Sequence, residues 1–240
     1  MKGTERHRLK ENELSHALTD ATARVRDHRR SISLALGLVI LVLVAAGGYW
    51  AWNTRRETRA QTLLSDATMV VQARIEEPKA GATPTAGSYP TIRARAEAAL
   101  TKFTAVFDAY PSTKAGLAAR YHAAAALGML DRPAEAATRY QEVADRAGAG
   151  DFYGRMARLG VVEANMQAKQ YDRAISAAQA LVDNTSDEVI PRDALLMELG
   201  RVQAAAGKKT EARQTLDKVI AEFPQSAYID EAKQLLSTLT

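Results

Sequence analysis

Hydrophobic and polar positions follow two different patterns along this chain. Residues 31–54 carry no charged side chain, and apolar residues recur at helical spacing after them. The 21 residues from Ile32 to Trp52 would rise about 31 Å as a helix, against a hydrocarbon core of about 30 Å. Tyr49, Trp50 and Trp52 stand together at one end, as membrane-interface aromatics do. We therefore predict one transmembrane helix over 31–54.

A cleaved signal peptide is the alternative interpretation of this segment. Signal peptides have a short basic start, an apolar run of about 7 to 15 residues and small residues at the cut. Here a polar tail, residues 1–30, comes first, the apolar run is longer, and bulky aromatic residues follow Gly47 and Gly48. We expect a retained anchor.

The segment after the span reads as a second helical stretch. Residues 55–78 place apolar side chains on one stripe and predict a juxtamembrane helix that continues from the span. The stripe would either cover the first repeat or pair with another copy, and Gly47 and Ala51 allow a homodimer through the span. Residues 79–90, rich in Gly, Pro, Ser and Thr, predict a linker.

Residues 91–240 contain an internal repeat. Four small residues, Ala99, Ala136, Ala174 and Ala212, are separated by 37, 38 and 38 positions. A bulky residue follows four positions after three of them, and an aliphatic residue follows seven positions after each, which is the pattern of one helix face. A period of 20 to 50 residues indicates a helical solenoid. The predicted fold is all-α: one N-terminal transmembrane helix, then a solenoid with a C-terminal capping helix.

Charge and composition exclude several classes of function. Residues 1–30 hold 8 Lys and Arg against 5 Asp and Glu, which leaves 24 basic and 23 acidic residues in the rest of the chain. Such a balance offers no general phosphate-binding surface, so we expect no nucleic-acid partner. No cysteine and no catalytic motif occur, and His122 is the one histidine beyond the tail. We therefore predict no enzyme, no metal and no cofactor, with His122 a structural or surface residue.

The clearest repeat carries a family resemblance. Residues 199–224, LGRVQAAAGKKTEARQTLDKVIAEFP, resemble a tetratricopeptide repeat, with a Leu-Gly pair in the first helix and Gly207 at the turn. The copy around Tyr171 lacks the Leu-Gly pair in register. The copy before it has Asp131 where the family usually has a turn glycine.

The order of basic tail, single anchor, juxtamembrane helix and degenerate repeats is similar to that of the ancillary SecYEG translocon subunit, or YfgM-like, family. The resemblance implies a bacterial inner-membrane protein with its N-terminus in the cytoplasm and its repeats in the periplasm. It also implies partners among SecYEG, periplasmic chaperones and client polypeptides. Charge alone leaves the orientation open over the 20 residues on either side of the span, where four Arg face four, and the whole tail favours a cytoplasmic N-terminus.

The resemblance also proposes a binding groove. Tetratricopeptide repeats direct four positions of each first helix into a concave groove. In this sequence those positions are Tyr121, Ala125, Met156, Leu159, Glu163, Met166, Met197 and Arg201. Methionines suit loose recognition of apolar clients, although they also serve as core filler. We expect a non-catalytic adaptor or chaperone-like factor for newly translocated proteins. The alternative is a structural scaffold in cell-envelope assembly or cell division.

Overall fold

The computed structural model describes residues 29–76, 87–148, 150–184 and 189–239. Two compact units follow one another along the chain, Met1–Arg55 and Arg56–Thr240. Most of the predicted tail, and residues 79–86 of the predicted linker, lie outside the described residues. The described part contains nine helices: α1 Arg29–Gln72, α2 Ile92–Ala109, α3 Lys114–Met129, α4 Pro133–Arg146, α5 Phe152–Gln167, α6 Tyr171–Asp183, α7 Arg192–Ala205, α8 Lys209–Glu222 and α9 Ile229–Thr238. The predicted all-α fold with tetratricopeptide-like repeats is confirmed.

The long helix α1 contains the whole apolar segment. Its leucine and valine side chains from Leu34 to Val44 are all more than half exposed. The helix is long and apolar enough to cross a membrane, and an N-terminal signal sequence would share these properties. The same helix continues without a break past Arg55, as the pattern predicts.

The end of α1 differs from the prediction of a helix over 55–78. The helix ends at Gln72, and the backbone of the next residues pairs with residues beyond the predicted linker region's masked part. The Glu76 N–H donates to the Tyr89 carbonyl, and the Tyr89 N–H donates to the Arg74 carbonyl, each at 2.9 Å. The Arg95 side chain donates to the Ala73 carbonyl at 3.0 Å. Helical hydrogen bonding stops here because these backbone groups have other partners.

The apolar stripe of α1 beyond Arg55 packs within its own chain. Ala60 and Ala67 are fully buried. Ala67 shares a core cluster with Phe103 of α2 and Ala119 of α3. Of the two uses predicted for this stripe, covering the start of the repeat array is therefore the one observed.

Glu57 adds a polar contact between α1 and α3. Its carboxylate accepts hydrogen bonds from the backbone N–H groups of Lys114 and Ala115, each at 2.9 Å. Thr113 completes the cap by accepting from the Gly116 N–H at 2.9 Å. The negative charge of Glu57 at the positive end of the α3 dipole favours the same arrangement.

Three helix pairs, α3–α4, α5–α6 and α7–α8, repeat one turn geometry. Asp131, Lys169 and Gly207 stand at the turns, spaced 38 residues apart, with φ of 59°, 58° and 75°. After each, the next backbone N–H donates to a carbonyl five residues back, at 3.0, 2.8 and 2.9 Å. This is the Schellman helix ending, which favours glycine at the left-handed position. The missing turn glycines of the first two copies therefore change the residue but not the turn.

The side-chain sizes at the helix contacts also explain the missing Leu-Gly pair. In the last pair, a β-carbon at Gly200 would lie 2.7 Å from Cδ2 of Leu216, so only glycine fits against that leucine. One period earlier these two positions are Val162 and Ala178, both buried in the same core cluster. The larger residue has moved from the second helix to the first, and the core remains filled.

Candidate functional site

The first helices of the three pairs, α3, α5 and α7, carry the predicted groove residues, and we call their surface the first-helix face. An aromatic cluster lies on it where α3 meets α5. The Tyr121 ring is 5.4 Å from the rings of Tyr140 and Tyr153, centroid to centroid. His122 is stacked on Phe103 at 5.1 Å and meets Tyr153 edge-on at 5.7 Å. Aromatic rings at these separations attract one another beyond their burial.

Burial in this cluster shifts three ionisation equilibria. It raises the pKa of Tyr121, with a smaller contribution from Tyr153, and it lowers the pKa of His122. Burial also raises the pKa of Tyr140 to about 12, with smaller contributions from Tyr121 and Glu163. All three shifts favour the neutral form. The cluster is therefore uncharged at neutral pH and suited to apolar contact.

The remaining α3 and α5 groove positions are partly accessible. Ala125 borders a small cavity of about 60 Å³ between α1, α2 and α3, with Phe103 and His122 also lining it. Met156 is half-buried. Leu159 and Met166 pack against the core cluster with part of each side chain exposed. Glu163 is exposed, and its carboxylate accepts a hydrogen bond from the Gln167 amide at 2.7 Å.

The two groove residues predicted on α7 do not offer free side chains. Met197 is fully buried, so its side chain belongs to the core and cannot contact a bound peptide. Arg201 makes a bidentate ion pair with Glu231 of α9, at 2.7 and 2.8 Å, and a third contact with Glu198 at 3.1 Å. The Glu231 hydrogen bond raises the pKa of Arg201, and the same bond lowers the pKa of Glu231. The side chain of Arg201 therefore ties α9 to α7.

Sequence reasoning missed the aromatic part of the face. Phe152, which is 59% exposed, and Tyr153 stand at the start of α5, with ring centroids 5.4 Å apart. They lie outside the four repeat positions used for the prediction, although the adjacent pairs Tyr121–His122 and Phe152–Tyr153 are visible in the sequence. His122 is a half-buried packing residue, as predicted. The described residues contain no group of three His, Asp or Glu placed to hold a metal ion.

The fold and this face define a class of protein, the tetratricopeptide-like interaction modules. Residues 193–226 match the family model of the tetratricopeptide repeat. The chain is similar to a solved structure from Podosopora anserina, described as the nearly identical TPR-like repeats of a kinesin light chain. That match has a TM-score of 0.52 at 17% identity and covers 76% of this chain and 93% of the other. A single-residue variant of that protein matches with a TM-score of 0.51, 17% identity and coverages of 76% and 94%. No curated protein matches the chain by sequence.

Proposed function

We propose that this chain is a non-catalytic, membrane-anchored adaptor that binds polypeptides on its first-helix face beside the SecYEG translocon. The proposed location is the bacterial inner membrane, with residues 1–30 in the cytoplasm, a single span over 31–54 and the repeats in the periplasm. One observation carries the proposal. A single helix, α1, contains both the apolar segment and the residues, Ala60 and Ala67, that pack into the repeat array. Such a helix would hold the interaction module at a membrane.

The chemistry of the first-helix face supports an extended, apolar ligand. Phe152 and Met156 provide accessible apolar surface. The hydroxyl groups of Tyr121, Tyr140 and Tyr153 make no hydrogen bond with the described residues, and such groups usually find a partner when they are partly buried. An unfolded polypeptide would supply apolar side chains for the rings and backbone carbonyls for the hydroxyls.

A binding measurement tests this face. The probe is a fluorescently labelled, reduced and carboxymethylated α-lactalbumin, which stays unfolded, titrated with the full-length protein in detergent micelles. We expect the Phe152→Glu plus Met156→Glu variant to bind at least tenfold more weakly, because two carboxylates would lose their hydration beside the rings. Met69→Glu is the matched control, since Met69 is 65% exposed on α1. Equal binding by all three proteins would contradict the proposed site.

Co-purification tests the translocon partner. Tagged full-length protein would be recovered in mild detergent from its own membranes, beside a version with a foreign anchor in place of residues 31–54. We expect SecYEG with periplasmic chaperones or secreted clients, and loss of SecYEG after the anchor swap if the span makes the contact. Mass of the recovered chain checks the anchor itself, because cleavage by signal peptidase would remove the N-terminal segment. A homodimer through Gly47 and Ala51 would appear as cross-linking between spans.

A structural scaffold in envelope assembly or cell division is the second candidate. It is favoured by the state of α7, where Met197 is buried and Arg201 is engaged by Glu198 and Glu231, which leaves a shorter apolar face for peptides. A scaffold would recover division or outer-membrane assembly proteins in the same co-purification, with SecYEG absent from both samples. That outcome would overturn the translocon proposal.

A further inference from the structure

A second surface lies on the other side of the array, between α4 and α6. Both helices pack against α5, and a groove remains between them, formed by two adjoining cavities of about 390 and 520 Å³. Val161 of α5 lies at its floor, and Ala177 and Ala180 of α6 line both cavities. The groove follows α4 from Ala134 to Asp145, which is about 17 Å of helix. Its length therefore matches about three helical turns.

Small side chains make this groove. The α4 wall carries alanine at 134, 137 and 144, and the α6 wall carries alanine at 177 and 180. One repeat period later, positions 134 and 137 become Asp172 and Ile175, and positions 177 and 180 become Thr215 and Lys218. Longer side chains thus stand at the equivalent positions between α6 and α8. The opening is a specific feature of the middle of the array, since small residues at helical spacing let another helix approach closely.

The groove walls differ in charge. On the α4 wall, Asp145 is exposed and accepts a hydrogen bond from the Gln141 amide at 2.8 Å. Glu142 on the same wall is neutralised by Arg120 and Arg139. On the opposite side, Arg158 of α5 and Arg173 of α6 line the groove. Asp145, Arg158 and Arg173 form no ion pair within the described residues. One edge is therefore acidic and the other basic.

We propose that the α4–α6 groove binds an amphipathic helix of a partner protein, whose stripe of small residues is flanked by basic residues on the α4 side and acidic residues on the α6 side. A helix satisfies its own backbone hydrogen bonds, whereas alanine walls offer few partners to an extended chain. The apolar floor buries the stripe, and the two charged edges fix its orientation. This surface is separate from the first-helix face, so either one can fail without the other.

The test uses a designed probe and the full-length protein in detergent micelles. The probe is a fluorescent 16-residue stapled helical peptide, with alanine at every third or fourth position and Lys and Glu along opposite edges of that stripe. We expect saturable binding by fluorescence anisotropy. Ala180→Trp should weaken it at least tenfold, because the indole would fill the groove from an exposed position. Lys218→Trp, one period later and also exposed, is the matched control and should bind as the unsubstituted protein does.

Charge and conformation are tested separately. Asp145→Lys should weaken binding, and a peptide in which the Lys-bearing residue facing position 145 is replaced by Glu should recover it. An unstapled peptide with a central proline, which cannot form a continuous helix, should bind at least tenfold more weakly. Absence of binding, equal loss in Ala180→Trp and Lys218→Trp, or equal binding of the proline peptide would overturn the proposal. Self-association that is lost in Ala180→Trp alone would assign the groove to a second copy and overturn it too.

Discussion

Three turn residues, Asp131, Lys169 and Gly207, share one left-handed conformation although only one is glycine. A side chain in this region costs about 1 kcal/mol because its β-carbon crowds the following carbonyl. Lys169→Gly should therefore raise the free energy of unfolding by about 1 kcal/mol, and Gly207→Ala should lower it by a similar amount. A β-carbon at Gly207 would meet no atom within 4 Å, so its cost would be conformational alone.

Urea unfolding of the detergent-solubilised protein, followed by far-UV circular dichroism, measures both changes. Lys169 is exposed, so its side chain contributes little packing that the substitution would remove. A lower midpoint for Lys169→Gly would mean that the added flexibility of the unfolded chain outweighs the relief of strain.

His122 gives the aromatic cluster a predicted pH dependence. Its pKa in the folded protein is lowered by burial, so the unfolded chain binds the proton more readily. The stability that neutral His122 contributes is complete above its unfolded pKa of about 6.5 and is lost as the pH falls from there toward the lower folded pKa.

The His122→Phe variant isolates this effect because it keeps a ring stacked on Phe103. The stability difference between the variant and the unsubstituted protein should grow in favour of the variant between pH 7.5 and pH 5. Other titrating groups, including the histidines of the tail, are common to both proteins and cancel. A difference that stays constant over this range would show that the imidazole is not held neutral.

At the scale of the helices, the exchange of large and small residues between repeats predicts a compensating pair. Gly200→Val should destabilise the last helix pair by about 1 to 3 kcal/mol, because the side chain would overlap Leu216. Leu216→Ala alone should cost about 2 to 5 kcal/mol through a cavity in the core. The double variant reproduces the arrangement of Val162 and Ala178, so it should be more stable than the sum of the two changes by at least about 1 kcal/mol. Additive losses in thermal unfolding would refute the compensation.

The repeat period read from Ala99, Ala136, Ala174 and Ala212 was sufficient to predict the helix pairs, because small residues at helix contacts recur with the repeat. It could not predict that Lys169 adopts a left-handed turn, since the turn is fixed by backbone hydrogen bonds from both helices. It also misplaced Met197, which occupies a groove position by count but fills the core beside α8 and α9. Nothing local in the sequence marks Tyr140 and Tyr153, from two different helices, as neighbours of one ring.

At the scale of the whole molecule, the helix α1 belongs to both units of the chain. Within the unit from Arg56 onward, three contacts fasten it to the array. Ala60 and Ala67 are buried, Arg95 binds the last turn through the Ala73 carbonyl, and Glu57 caps α3. The apolar contacts are short-chain and small, so the two polar contacts at either end set how firmly the helix is held.

Glu57→Gln tests how strongly the cap holds α1 to the repeats. A neutral amide would offer one acceptor oxygen to the two N–H groups of Lys114 and Ala115, and it would remove a negative charge from the α3 N-terminus. We expect a loss of about 0.5 to 2 kcal/mol, seen as faster hydrogen exchange in α1 beyond Arg56 and in the first turn of α3. Glu97→Gln, whose partner Arg93 is an exposed residue of the same helix, is the control and should leave both segments unchanged. Faster exchange in α3 alone would show that the apolar stripe holds α1 without the cap, whereas faster exchange in both would make Glu57 the joint between the anchor helix and the binding module.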